Sequence, residues 1–211
     1  MSRCRRHVGY KYKMATRTHE HQRVSPSHPF LLANKYPDAI AIDEASFVSC
    51  DRPRRGWAKF SSRVPKHPPK QRNRISLLLA IDTSGVVTFE IKKGAFNKES
   101  YSSFQQKLPS DRTLILDNVA FHKSHVTKEA ELKRNIELVY IPPYCPWFNP
   151  VECAFSVAKA TYRKSRSHDH PDFVSDVVSC LQKITSEDCQ SFFSHSARLR
   201  QNEIEKLGIL A

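Results

Sequence analysis

Three carboxylates stand out by where they fall in the chain. Asp43 follows the apolar run 39–42 (AIAI), Asp117 closes TLILD (113–117), and Glu152 follows Asn149-Pro150 in NPVECAFSVAK. An aspartate beside buried apolar sequence is unfavourable unless it is paired, capped or bound to a cation. Ligands of open α/β sheets gather at the C-terminal ends of strands. Two aspartates ending strands, plus a glutamate in the first turn of a helix, can therefore converge on one point. Three hard anionic donors with room for water suit Mg2+ or Mn2+ rather than zinc. Two such ions about 4 Å apart activate a nucleophile and stabilise the leaving oxygen of a phosphodiester displacement. Each residue also has a simpler use. Asp117-Asn118 can form a turn, Asp43 can cap the next segment, and a helix dipole favours Glu152 where it stands.

The surrounding elements must place these groups. Residues 39–42 read as a buried strand ending near Asp43. ISLLLAI (75–81) and VVTFEI (86–91) read as a hairpin turning at Ser84-Gly85. NKESYSSFQQKL follows as a helix with Asn97 at its N-cap. TLILD and IELVYI (136–141) are short buried strands, separated by an amphipathic helix over 122–135. The twelve residues IPPYCPWFNPVE (141–152) hold four prolines, too dense for a helix interior or a central strand. They read as a rigid entry to a helix with Asn149 at the N-cap and Pro150 at its first position. Two more amphipathic helices are expected over 172–185 and 187–208. This order predicts an α/β fold, a mixed sheet with helices packed on its faces. The domains expected are a basic, flexible arm over 1–36, a catalytic domain over 37–165 and a C-terminal helical extension over 166–211.

Charge is placed unevenly. The net charge is +13, and residues 1–75 hold seventeen Lys and Arg against five Asp and Glu, while 76–211 are nearly balanced. A polyanion met by that end of the chain is the expected partner. The six cysteines form no C-x-x-C pair, so reduced, packed thiols are expected rather than a zinc knuckle or disulfide framework. No apolar run approaches the roughly 18 residues of a membrane span, and MSRCRRHVGYKYK lacks the apolar segment of a secretory signal. An intracellular protein with no membrane partner is expected.

DEASF (43–47), LILDNVAFHKS (114–124) and IPPYCPWFNPVECAFSVAK (141–159) together resemble the three signature blocks of the Tc/mariner superfamily of DDE transposases. The likeness is closest to members with LDN-x-x-x-H and PPYSPxLNPIE blocks, including bacterial insertion-sequence transposases. The 34 residues between Asp117 and Glu152 match the spacing of one major branch. The resemblance implies a ribonuclease-H-like five-stranded mixed sheet with helices on both faces, plus C-terminal helices. It implies metal-dependent DNA strand cleavage and strand transfer, with Asp43, Asp117 and Glu152 holding two Mg2+ or Mn2+ ions. Asn118 and His122, in the second block, would orient a metal ligand, water or phosphate, and Trp57 in RRGWAKF would pack. Arg52, Arg54, Arg55, Lys59, Lys159, Arg163 and Lys164 would hold DNA phosphates of the transposon ends and target. Cys145, Trp147 and Phe148 stand where the superfamily often has Ser, Leu or Asp. Members also carry paired helix-turn-helix units, which residues 1–36 cannot build, so a separate helix-turn-helix protein is an expected partner, alongside a homodimer. The alternatives are an inactive or co-opted remnant that binds DNA, and another ribonuclease-H-like nuclease.

Overall fold

A computed structural model describes residues 39–49, 73–117, 134–165 and 172–206. The basic arm, Arg52, Arg54, Arg55, Trp57, Lys59, Asn118, His122 and most of the helix expected over 122–135 lie outside these residues. Five strands make one sheet in the order β3-β2-β1-β4-β5. They are β1 (Ala39–Val48), β2 (Arg74–Asp82), β3 (Gly85–Lys92), β4 (Thr113–Leu116) and β5 (Glu137–Tyr140). β1–β2 and β2–β3 pair antiparallel, whereas β1–β4 and β4–β5 pair parallel. The sheet is mixed, as the element order predicts.

Alternation along the strands separates two cores. In β1, Ala39, Ala41, Ala45 and Phe47 join one cluster, and Ile40 and Ile42 join the other, as the two-residue period of a strand requires. The second cluster is covered by α1 (Lys98–Gln105) through Tyr101 and Phe104. Asn97 starts that helix in a reciprocal capping box with Ser100. The first cluster is covered by α2 (Pro150–Ser165), α3 (Phe173–Leu181) and α4 (Ser186–Lys206). In α2, Val151, Ala154, Phe155, Ala158 and Tyr162 are buried, the stripe that helical spacing turns toward a core. The two C-terminal helices thus share one core with α2 and the sheet.

Two local expectations change. The hairpin turns at Thr83-Ser84, because Asp82 pairs with Gly85 and Asp82 Oδ1 accepts from the Ser84 N–H at 2.7 Å. Asp43 does not end its strand. β1 runs five residues past it, since β2 stays paired from Ala41 out to Val48. What ends near Asp43 is the pairing on the other side, where β4 stops.

Candidate active site

Register explains how two carboxylates meet. Ala41 of β1 pairs with Ile115 of β4 in the parallel ladder, so two residues further on Asp43 stands level with Asp117. Adjacent strands lie about 4.8 Å apart, and residues level in a parallel pair share a face. Ala41 and Ile115 both face the α2 side, and Asp43 and Asp117 follow with the same parity. The chain meets that side through the proline-rich segment. Ile141 N–H donates to Leu116 O at 2.8 Å, Cys145 N–H to Pro142 O at 3.2 Å, and Asn149 N–H to Pro146 O at 2.9 Å. Tyr144 takes a left-handed turn (φ 62°), and Pro146–Phe148 forms a single 3-10 turn. Ser196 on α4 donates its hydroxyl to Phe148 O, which ties the segment from the opposite side.

Asn149 joins the helix start to the sheet. Its Oδ1 accepts from the Val151 N–H at 3.3 Å, capping α2. Its Nδ2 donates to Asp43 Oδ2 at 3.2 Å and lies 3.4 Å from Ile42 O. Asn149 is buried, so both ends of its amide are used within the protein. Glu152 follows in the first turn, its N–H donating to Asn149 O at 3.1 Å. One side chain therefore fixes the origin of the helix that carries Glu152 and one oxygen of Asp43. Sequence reading identified the cap but not the bond to Asp43, which spans 106 residues. Asn149→Ala removes a cap worth about 1 kcal/mol and a charge-assisted bond of about 1.5–3 kcal/mol. We expect a loss of about 2.5–4 kcal/mol, read as a lower midpoint in denaturant melts. Asn149→Asp keeps the cap acceptor, faces Asp43 with a like charge, and should lose stability further as pH rises.

The electrostatics belong to an acidic cluster. Burial pushes the Asp43 carboxyl up to about 7, reinforced by the charges of Asp117 and Glu152 and opposed by the Glu44 N–H and the Asn149 amide. Burial also raises Glu152, with Asp117 adding to the rise and Lys159 countering it. Lys159 Nζ lies 5.4 Å from the Phe47 ring centroid and 5.9 Å from that of Phe155. Its charge acts on the site itself, while Arg163 and Lys164 are placed near the end of α2. The pKa of the Cys153 thiol, beside Glu152, is raised by burial and by that carboxylate, which disfavours the thiolate.

This donor set fits a hard divalent cation in chemistry, being three carboxylates in which the charge of Asp117 adds to the rise of both Asp43 and Glu152. Among the described residues, no three carboxylate, His or Cys side chains are gathered tightly enough to enclose one ion. The three acids form an open arrangement rather than a closed shell.

The family model described as DDE superfamily endonuclease matches residues 38–174. The chain belongs to this family. The match takes in all three acids of the endonuclease, and its fold recurs in solved structures. The Mos1 transposase paired-end complex with left transposon end superposes with a TM-score of 0.75 at 13% identity, covering 97% of this chain and 69% of that one. The mariner Mos1 paired end complex with Mg gives 0.70 at 13% identity, with 96% and 69% covered. The catalytic domain of Mos1 mariner transposase gives 0.57 at 14% identity, with 81% and 82% covered. No curated protein sequence matches the chain. The endonuclease therefore has the ribonuclease-H-like mixed sheet that the three motifs implied. No described helix is long and apolar enough to cross a membrane.

Proposed function

We propose that this endonuclease is the catalytic domain of a DDE transposase, cutting DNA strands and joining the freed 3′ ends to target DNA. Asp43, Asp117 and Glu152 are its catalytic carboxylates and metal ligands. The observation that carries this reading is the parallel register of β1 with β4, whose last pair, Ala41 and Ile115, lies two residues before Asp43 and Asp117 on the face that α2 covers, with Glu152 in the first turn of α2. The structural likeness to Mos1 complexes solved with a transposon end and with Mg supports it. When bound, two Mg2+ or Mn2+ ions supply Lewis acidity that lowers the pKa of water and neutralises charge on a phosphodiester.

The chain's own residues do the rest. Asp43 and Asp117 present oxygens from two adjacent strands, whose backbones are fixed by the ladder. Glu152 approaches from a helix whose first turn is locked by Asn149 and the prolines, since small displacements of a ligand are costly to reaction geometry. Partial burial of all three carboxylates strengthens the charge interactions at the site. Lys159, Arg163 and Lys164 on α2, with Arg52, Arg54, Arg55 and Lys59, take phosphates without reading sequence, so DNA affinity should fall steeply with salt. Asn118 and His122, next in chain after Asp117, orient a metal ligand, water or phosphate. The purified chain should nick and join DNA in Mg2+ or Mn2+ and lose both activities in EDTA. Activity undiminished by EDTA would refute the metal-dependent reading.

A further inference from the structure

From Glu152, one of the three acids, a groove runs along residues that the reaction described above does not use. Glu152 itself lines its first hollow, of about 320 Å³, with Trp147, Ser156 and His195 among others. It adjoins a second hollow of about 540 Å³, also bordered by Ser156 and His195, which reaches Ser194 and Arg198. The two form a groove between α2 and α4. On α4, positions 194, 195 and 198 fall at one-turn spacing, so they make one edge of it.

Its chemistry is specific. Trp147 is 48% exposed, although tryptophan is usually well covered. It is also held in place, because it sits in the 3-10 turn after Pro146, and its ring meets buried Phe148 edge-on at 5.9 Å. Tyr144 nearby in the same segment is 71% exposed. At the far end, Arg198 Nη2 lies 3.1 Å from His195 Nδ1. With Arg198 donating to Nδ1, the ring carries its proton on Nε2 and is a second donor. A fixed aromatic face, hydroxyls and a cationic end along an open groove suit an unpaired nucleic-acid strand, whose bases have free faces to stack.

We propose that this groove holds an unpaired stretch of DNA next to the cut, with Trp147 stacking a base and Arg198 and His195 taking a phosphate. The assignment rests on the reading of Glu152 as part of a DNA-cutting centre. The strand leaves that centre by the groove, so opening of the duplex near the scissile phosphate is built into how substrate is held.

The test uses the full chain in Ca2+ and short DNA carrying 2-aminopurine, offered as a single strand and as a duplex. Trp147→Ala should weaken single-strand binding about tenfold and abolish the aminopurine quenching, with duplex affinity unchanged. Trp147→Phe should stay within about twofold of the parent, and Arg198→Ala should lower the salt slope for single strands by about one. Unchanged single-strand binding in Trp147→Ala, or equal losses for duplex and single strand, overturns the proposal. If Trp147→Ala does not fold, an unchanged salt slope in Arg198→Ala overturns it. A chain that binds single strands through Trp147 yet never cuts DNA keeps the groove and refutes the nuclease reading. A chain that cuts DNA, but binds single strands equally well with and without Trp147, does the reverse.

Discussion

Asp117→Asn should abolish DNA cleavage and joining in Mg2+ or Mn2+ while leaving the fold intact. Asp117 follows β4 directly, and the ladder to β1 ends at Ile115 and that to β5 at Leu116. The substitution therefore lies beyond the strand ladder and replaces a side chain with one of nearly equal size. What it removes is a negative charge level with Asp43. Divalent ions at such a site contribute several kcal/mol of charge stabilisation in the transition state, and each 1.36 kcal/mol is a factor of about ten in rate. A loss of about a thousandfold or more in strand cleavage is expected, with circular dichroism and melting close to those of the parent. Cleavage within about tenfold of the parent would remove Asp117 from the mechanism.

The second large effect concerns stability and pH. The Asp43 carboxyl is raised to about 7 in the fold, from an ordinary value of 3.8. The folded state therefore binds more protons than the unfolded chain between these values, and stability falls as pH rises through that window. The contribution is fully present below about pH 4 and lost above about pH 7. A carboxamide at this position does not titrate. In EDTA, the stability of Asp43→Asn relative to the parent should accordingly increase between pH 4 and pH 8, by about 2–4 kcal/mol. The pH dependence is the diagnostic quantity, because the introduced amide also meets the Asn149 amide and loses part of that gain at every pH. Mg2+ at pH 8 should reverse the order, since a ligand that binds only the folded state stabilises it by mass action. The parent should gain and the variant should not. A pH-independent difference between the two proteins would show that neither burial nor its neighbours' charge raises Asp43 in the fold.

The sequence carried more of this site than of its supports. Continuous apolar runs marked β2 and β4, and Asn149-Pro150 marked the start of α2, because these signals are local. Asp43 was harder to place. Its run of alternating burial continues to Phe47, and nothing near it in the chain shows that the neighbouring parallel strand stops at its level. The bond from Asn149 to Asp43 depends on a contact across 106 residues. Ser194, His195 and Arg198 read as an ordinary solvated helix face. Only the packing of α4 beside α2 turns that face into one edge of a groove, and periodicity carries no record of which helix lies opposite. Lys159, expected among the DNA-binding cations, is drawn over Phe47 and Phe155 by a packing of β1 against α2 that its own helix does not reveal.

The central claim is that three carboxylates from two strands and one helix act as a single metal-dependent centre. A side-by-side cleavage assay in Mn2+ tests it most directly, comparing the parent with Asp43→Asn, Asp117→Asn and Glu152→Gln at matched folded concentration. Only the parent should cut DNA, and the three losses should be of similar size, because groups acting as a unit fail together. A variant at any of the three positions that keeps more than about a tenth of the parent rate would contradict the claim.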